Sequence, residues 1–275
     1  MLHLPSEELI HRIQRSETEY MYDRMQAIEG RTGNPEGIEM VRFGQALCLY
    51  SKTMPWLSFN TVKGLRSENL KDLDAIIDFY HSRDRKFQFE IVPGMVNQAL
   101  LSALADRGFF QSAFHNSMYM NPQELVDMPD HGIVIKTIDK DEFEDYAKVH
   151  CLGTGLPVQG IPSVALNNRV LHARPGWRFY IAYVDGQPAA AGVLHTNHST
   201  ASLTFAATLP EYRRRGLHQE LLRRRIRDAK GEGCNLVVGQ CAFLSQSHRD
   251  METVGMKLGY VRTTWTERQP ESSAE

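Results

Sequence analysis

The spacing of apolar residues along the chain changes several times between a helical period and an extended one. Apolar positions recur at roughly helical spacing from Leu9 to Ile28, behind an acidic start, and the turn-rich stretch 30–37 ends this first helix. Further helices are predicted at 67–80, 97–107, 140–150, from about 217 to 230, and 247–258. Short apolar runs predict strands at 38–43, 46–50, 56–62, 87–92, 109–120, 133–135, 177–184, 189–195, 201–208, 236–240 and after 259.

Turn residues add two local predictions. Asp185-Gly186 stands between two strand-like runs and predicts a tight hairpin. The stretch 151–162 is rich in Gly and Pro and predicts a loop. Its part from Gly153 to Gly160 is either a substrate lid or a plain connector.

The two halves of the chain share one order of elements. Each runs through strands and helices to a glycine-aromatic pair, Gly108-Phe109 or Gly259-Tyr260, and a closing strand. We therefore predict an α/β fold with two twisted mixed sheets flanked by helices. The predicted domains are 1–128, which includes the leading helix, and 129–275, joined by a proline-containing linker.

Composition narrows the class of protein. The 275 residues include 31 Lys or Arg against 33 Asp or Glu, and 42% are hydrophobic, which argues against a disordered or fibrous chain. No apolar run approaches the ~18 residues of a membrane-spanning helix, and the first residues lack the features of a secretory leader. The four cysteines have no paired spacing typical of metal sites. We expect a cytoplasmic protein with reduced thiols and no metal.

One local excess of charge stands out from this balance, because seven of the fifteen residues from Arg213 to Arg227 are arginine. An apolar strand ends at Pro210, and Gly216 opens the helix that follows. The first amides of a helix lack internal acceptors and carry partial positive charge, so this end favours an anion. Gly216 lets the backbone approach a phosphate closely, so the segment suits a pyrophosphate. A Gly-rich dinucleotide loop is disfavoured, since Gly216 is the only glycine between Leu203 and Lys230.

The segment from Pro210 to His218, PEYRRRGLH, resembles the acetyl-CoA-binding signature of the GNAT N-acetyltransferase superfamily. In that signature a strand leads into Arg/Gln-x-x-Gly-x-Gly/Ala at a helix start. The resemblance covers about residues 131–266, and residues 60–65 resemble the cofactor-less N-terminal repeat of two-domain members. It implies a tandem GNAT-like acyl-CoA N-acyltransferase fold with a degenerate N-terminal half.

The resemblance also implies a cosubstrate, acetyl-CoA, and a set of residues that bind it. The main chain of Ala206 and Thr208 would pair with the pantetheine arm, and the amides from Arg213 to His218 would hold the pyrophosphate. The complete predicted cofactor set is Ala206, Ala207, Thr208, Arg213, Arg214, Arg215, Gly216, Leu217, His218 and Ser247. Ser247 precedes the last predicted helix, where capping that helix is favoured over contact with the cofactor.

Two positions depart from the family pattern and leave the catalytic residues unassigned. His218 replaces the usual third small residue, so either the helix start is less crowded or the imidazole lies beside the phosphates. Gly255 stands where many members carry the tyrosine that protonates the leaving thiolate. The strand 201–208 has no carboxylate, so the titratable alternatives nearby are His195, His198 and His248. Cys151 and Cys241 are more typical of inert buried filler than of nucleophiles.

Three classes of function follow from these residues. The leading one is an acetyl-CoA-dependent N-acetyltransferase that transfers the acetyl group directly to a primary amine of an unidentified acceptor. Specificity for that acceptor would lie around 151–174 and on the face of the N-terminal domain. The alternative is a non-catalytic acyl-CoA-binding sensor or interaction module, favoured by Gly255 and the missing carboxylate.

Nucleic-acid binding is the third class and is disfavoured. The later arginines at 223, 224, 225 and 227 wrap around their helix and have Glu220 and Asp228 as solvated partners, although one of them could reach the 3′-phosphate of CoA. The expected partner is a small amine, with neither nucleic acid nor membrane, and a homodimer stays open.

Overall fold

The computed structural model describes residues 5–126 and 132–268. The boundary predicted between residues 128 and 129 lies outside the described residues, so the division into domains 1–128 and 129–275 stays a prediction.

The described residues form seven α-helices, eleven strands and five short 3₁₀ turns. The helices are α1 Glu7–Glu29, α2 Leu73–His81, α3 Gln98–Asp106, α4 Phe143–Thr154, α5 Ile161–Arg169, α6 Leu217–Gly231 and α7 Gln246–Thr253. The strands are β1 Ile38–Phe43, β2 Ala46–Ser51, β3 Thr61–Lys63, β4 Gln88–Ile91, β5 Phe109–Met120, β6 Val134–Thr137, β7 Trp177–Val184, β8 Gln187–Asn197, β9 Thr200–Thr208, β10 Leu236–Cys241 and β11 Lys257–Glu267.

The chain divides into two spatial units that interleave along the sequence. Unit 1 comprises Met1–Tyr20 and Asn116–Gly259, and unit 2 comprises Met21–His115 and Tyr260–Glu275. The helix α1 and the strands β5 and β11 each contribute to both units, so neither unit is one continuous half of the sequence.

Unit 1 has a mixed sheet in the order β5-β10-β9-β8-β7-β6. All neighbours are antiparallel except β9 and β10, which run parallel. The hairpin predicted at Asp185-Gly186 is confirmed, and both residues have positive φ, 50° and 75°, as a type I′ hairpin turn requires. The helices α4 and α6 pack against β8 and β9, with Leu221, Leu222 and Ile226 of α6 in the buried core.

Unit 2 has a mixed sheet in the order β1-β2-β3-β4-β11-β5, with β3 and β4 parallel. Its core is aromatic: the rings of Tyr80 and Phe87 stack with centroids 4.1 Å apart. Glu90 lies buried between Lys63 Nζ at 2.6 Å and Arg262 Nη1 at 2.8 Å. Burial alone would raise the pKa of Glu90, but the two cations outweigh it and hold that pKa below its usual value.

The α/β fold with mixed sheets flanked by helices is therefore confirmed, because in each unit antiparallel strands lead into one parallel pair. Among the described residues, no helix has the length and apolar character needed to cross a membrane.

The loop predicted at 151–162 is shorter in the structure, where residues 155–160 connect two helices through a 3₁₀ turn, and both of its predicted ends are helical. The helix α4 continues through Cys151 to Thr154 and ends at Gly155, whose φ is 76°. After a short turn, α5 begins at Ile161 with Pro162 in its first turn. Proline is tolerated there because the first amides of a helix have no internal acceptor, so Pro162 marks a helix start and not a loop.

Two other predicted elements differ from the structure. The last helix was predicted to reach residue 258 but ends at Thr253, because Gly255 adopts a φ of 97° that a helix cannot continue through. The strand predicted at 56–62 is a 3₁₀ turn, Leu57–Phe59, followed by the short strand β3.

Candidate functional site

The site begins where two parallel strands of unit 1 separate. The strands β9 and β10 pair from Thr200 with Leu236 to Leu203 with Gly239, and β9 then continues to Thr208 without this partner. The carboxyl ends of parallel strands, where such strands diverge, are the usual place for a ligand in an α/β sheet.

A β-bulge lies in β9 at the same point. Ala191 of β8 pairs with Ala207 and Val193 pairs with Thr204, so Phe205 and Ala206 together face the single residue Gly192. Phe205 has a φ of 47°, a conformation that costs a non-glycine residue energy. A bulge of this kind interrupts the hydrogen-bond ladder and redirects the strand, here immediately before the open end of β9.

A pocket of about 750 Å³ opens at the end of β9 and extends over the starts of α6 and α7. Nine of the ten residues predicted for the cofactor line it, and the exception is Arg215. The lining residues are Gly153, Ala206, Ala207, Thr208, Pro210, Tyr212, Arg213, Arg214, Gly216, Leu217, His218, Gln219, Gln246, Ser247 and Asp250.

The turn before α6 needs two left-handed residues, Arg214 with φ 63° and Gly216 with φ 77°. A Cβ built on Gly216 would meet nothing within 4 Å, so the glycine is favoured for its backbone conformation and not for lack of space. Gly216 is the N-cap of α6 and supplies no capping side chain. The amides of the first turn of α6 therefore face the pocket without acceptors inside the helix, together with the positive end of the helix dipole.

The arginines of this turn have separate positions. Nη2 of Arg213 donates to the carbonyl of Gly153 at 3.0 Å, which ties the turn to the end of α4. Arg214 lines the pocket. The guanidinium of Arg215 instead lies over the ring of Tyr212, 5.2 Å from its centroid, and is not part of the pocket lining.

His218 is held by an acidic residue of α7. Its Nδ1 donates to Asp250 Oδ2 at 2.9 Å, and Gln219 and Gln246 donate to Asp250 Oδ1 at 2.9 and 3.0 Å. Burial raises the pKa of Asp250, but the three hydrogen bonds outweigh it, so the net pKa lies below the usual value. The imidazole of His218 therefore lies in the pocket with one nitrogen engaged by a carboxylate.

The capping role predicted for Ser247 is wrong. The N-cap of α7 is Ser245, whose hydroxyl accepts from the amide of His248 at 3.1 Å. Ser247 lies inside the first turn of α7 and lines the pocket.

Gly255 follows the end of α7 and has a left-handed backbone. This conformation explains why a glycine stands at the position where the family pattern has tyrosine.

None of the three histidines proposed from the sequence lines the pocket. His248 is buried and its Nδ1 accepts from the amide of Leu244 at 3.1 Å. The ring of His195 is buried, 4.5 Å from that of Trp177. His198 lies in the exposed turn between β8 and β9, with a φ of 51°.

A different histidine, His150 of α4, is also outside the pocket lining but lies against the bulge. Its ring is 6.4 Å from that of Phe205 and stacks on Tyr146 at 5.8 Å. One turn later in α4, a Cβ on Gly153 would come within 2.9 Å of the Cβ of Ala207, so this helix runs directly along the end of β9. Sequence reasoning placed His150 in the helix predicted at 140–150 but missed its contact with Phe205, because the two residues lie far apart in the sequence.

The solvated state predicted for the arginines of α6 is wrong for Arg223 and Arg225, although the predicted pairing with Glu220 and Asp228 forms. Arg223 pairs with Glu220 at 3.7 Å and is buried, and Arg224 pairs with Asp228 at 3.2 Å. Arg225 is fully buried, which leaves Arg227 as the exposed member of the four. An exposed basic stripe for nucleic acid is therefore absent from this helix.

The four cysteines are unpaired and buried. Burial raises the pKa of all four thiols, to about 11 for Cys241 and about 12 for Cys48. They are therefore protonated at neutral pH and poor nucleophiles. Within residues 5–126 and 132–268, no group of three or more His, Cys, Asp or Glu side chains could hold a metal ion.

Comparisons with known proteins agree with this geometry. Residues 144–249 match the family described as Acetyltransferase (GNAT) family. We therefore identify this segment as a GNAT domain, which supports an N-acyltransferase that uses an acyl-CoA. The sequence has no significant match among curated proteins.

Solved structures share the fold along almost the whole chain. A GCN5-related N-acetyltransferase from Kribbella flavida is 13% identical, with 95% of this chain and 96% of that chain covered and a TM-score of 0.68. One from Sphaerobacter thermophilus is 12% identical, with 96% and 94% covered and a TM-score of 0.64. A tandem GNAT protein from the clavulanic acid biosynthesis pathway is 15% identical, with 94% and 96% covered and a TM-score of 0.60. The fold of the chain is thus the GNAT N-acyltransferase fold.

Proposed function

We propose that this protein is an acetyl-CoA-dependent N-acetyltransferase that transfers the acetyl group directly to a primary amine. The observation that carries the proposal is the pocket at the open end of β9, where the left-handed Arg214 and Gly216 present the first turn of α6. A pyrophosphate would accept hydrogen bonds from the amides between Arg213 and His218, with the guanidinium groups of Arg213 and Arg214 adding positive charge.

The pantetheine arm of CoA would lie along β9. Beyond Leu203 this strand has lost its β10 partner, so its main-chain groups at Ala206 and Thr208 can pair with an extended ligand as an added strand would. In this arrangement the thioester reaches the bulge at Phe205 and Ala206. The resemblance to the GNAT family and the lining of the pocket support the same placement.

The reaction forms one bond and breaks one. The neutral amine attacks the thioester carbonyl, the C–N bond forms, the C–S bond breaks, and the CoA thiolate leaves with the electron pair. An ammonium group must first lose its proton, and we propose His150 as the acceptor because its ring lies against the bulged residue Phe205. Gly255 supplies no acid. Formation of the amide releases the second proton of the attacking nitrogen, and the proposal transfers this proton through water to the thiolate.

Unit 2 is proposed as the degenerate copy of a duplicated domain. Its parallel strands β3 and β4 correspond in order to β9 and β10, but Lys63 at the end of β3 bonds Glu90 of β4 at 2.6 Å. A buried ion pair thus joins strands whose counterparts in unit 1 open onto a pocket. This supports a unit that does not bind CoA, in a protein of the tandem GNAT type.

The proposal also covers the amine acceptor and the cellular compartment of the protein. The acceptor is a small amine, recognised by residues around α4 and α5. The use of acetyl-CoA and the four unpaired thiols favour the cytoplasm.

Direct assay of the reaction tests this function. Acetyl-CoA is mixed with the protein and a panel of polyamines, amino acids, aminoglycosides and peptides, and release of the CoA thiol is followed with a thiol reagent. Amine-dependent thiol release is expected for at least one class, and absence of acetyl-CoA binding at millimolar concentration would overturn the proposal.

A second function, an acyl-CoA-binding sensor, is favoured by Gly255 and by the absence of a carboxylate in β9. The same assay separates the two functions. Saturable binding of acetyl-CoA without thiol release across the whole panel would favour the sensor.

A further inference from the structure

The bulge in β9 is held by a buried cation. Arg225 of α6 is 1% exposed and is the largest fully buried side chain among the described residues. Its Nη1 donates to the carbonyl of Val193 in β8 at 3.0 Å and lies 3.4 Å from that of Thr204 in β9. Its Nε donates to the carbonyl of Leu221, one turn earlier in α6, at 2.9 Å.

These acceptors lie at the start of the bulge. Val193 and Thr204 form the last regular pair before the two residues Phe205 and Ala206 face Gly192. A bulge disrupts the ladder locally, and one guanidinium bonds a carbonyl from each strand at that point.

The residue opposite the bulge accommodates this arginine. A Cβ on Gly192 would lie 2.9 Å from Cζ of Arg225, closer than real Cβ atoms approach, and 3.1 Å from its Nε. A side chain at position 192 would therefore force the guanidinium away from the two strands. Gly192 and Arg225 therefore depend on each other, because the guanidinium occupies the space that a side chain at position 192 would need.

Burying the charge of Arg225 costs desolvation free energy, and a role in packing alone does not explain why the protein keeps a cation there. Burial lowers the pKa of Arg225 to about 10, which still leaves it charged at neutral pH. Within the described residues no carboxylate pairs with Arg225, and Nη2 has no hydrogen-bond partner. An apolar side chain would fill the same volume without desolvating a cation. The benefit that offsets this cost must therefore come from the carbonyl groups that the guanidinium engages.

We propose that Arg225 is a positioning residue that fixes the bulge of β9, so that Phe205 and Ala206 present their main chain to the acyl end of the cosubstrate. The inference rests on the proposed function. The guanidinium bonds carbonyl groups of β8 and β9 before the bulge. The phosphate turn, which we define as the residues from Arg213 to His218, lies beyond the end of β9. Loss of Arg225 therefore affects the acetyl-pantetheine end of the ligand and leaves the phosphate end in place.

Binding of two ligands tests the phosphate end and the acetyl-pantetheine end of the site independently. Adenosine 3′-phosphate 5′-diphosphate carries only the phosphate end, and acetyl-CoA carries both. For Arg225→Met we expect affinity for acetyl-CoA to fall by about tenfold or more, with affinity for the nucleotide within about twofold of the wild type. Arg225→Lys, which keeps the charge and one donor group, should recover part of the loss. Arg223→Met, which removes a buried arginine of the same helix that bonds neither strand, should leave the ratio of the two affinities unchanged.

Gly192→Ala provides an independent test with the arginine retained. It should produce the same selective loss for acetyl-CoA, and it replaces Arg225→Met if that variant does not fold. Equal loss of both ligands, in step with a lower melting temperature, would show a purely structural role, and unchanged acetyl-CoA affinity in Gly192→Ala would also overturn the proposal. If the wild type bound neither ligand, the proposed function itself would fail.

Discussion

Nδ1 of His218 lies 2.9 Å from Oδ2 of Asp250, and this bond joins the first turn of α6 to α7 beside the pocket. Asp250 is buried and also accepts from Gln219 and Gln246, so one carboxylate organises side chains from both helices. The position of His218, where the family pattern has a small residue, is thus explained by a partner on another helix.

The Asp250 network predicts a pH-dependent effect on stability. A carboxyl whose pKa is lower in the folded state stabilises the protein above its unfolded pKa, about 4, and loses that effect as pH falls through the folded pKa. Asp250→Asn should therefore lower the urea midpoint at pH 7 and pH 5, and the difference from wild type should shrink below about pH 4.

Glu252→Gln is the matched control, because Glu252 is an exposed acid of the same helix. It should have little effect at any pH. If the urea midpoint of Asp250→Asn stayed below that of the wild type by the same amount from pH 7 to pH 3, the role of the ionised carboxylate would be contradicted.

The thiols should be unreactive in the folded protein. All four are buried, and the pKa of Cys241 is raised to about 11, so the thiolate fraction at pH 8 is on the order of one in a thousand. A disulfide reagent at pH 8 should label none of them within minutes under native conditions and all four after denaturation. Rapid labelling of one thiol, prevented by acetyl-CoA, would contradict the inert role assigned to the cysteines.

His150→Gln should affect the chemical step more than binding. Loss of a general base lowers kcat by about 10²-fold or more, while KM for acetyl-CoA should stay within about twofold because the phosphate turn is unchanged. The acidic limb of the pH profile of kcat should disappear with the imidazole. His198→Gln, in an exposed turn, serves as the control and should retain wild-type rates. Full activity in His150→Gln would assign the proton to another acceptor.

The sequence was sufficient for features that depend on neighbouring residues. The turn of Arg213 to Gly216 and the hairpin at Asp185-Gly186 were predictable because a glycine or a proline sets the backbone locally. The strands before them followed from short apolar runs. The ten cofactor residues came instead from the resemblance to the GNAT family, and nine of them line one pocket.

Features that depend on distant residues were not predictable. His150 and Phe205 are 55 positions apart, and the contact of Arg225 with Val193 and Thr204 needs the packing of α6 on the sheet. Apolar spacing likewise could not show that β11 pairs with β4, since register between distant strands leaves no local signal. Pro162 misled the prediction because proline occurs both in loops and in the first turn of helices.

Binding of acetyl-CoA by the turn at Gly216 is the central claim, and isothermal titration calorimetry tests it most directly. The wild type should bind acetyl-CoA saturably, and Gly216→Val should lose affinity by about tenfold or more, because a β-branched residue strains the φ of 77° that the turn requires. Gly231→Val, at the exposed far end of α6, should bind as the wild type does. No binding by the wild type, or equal affinity in Gly216→Val, would contradict this account.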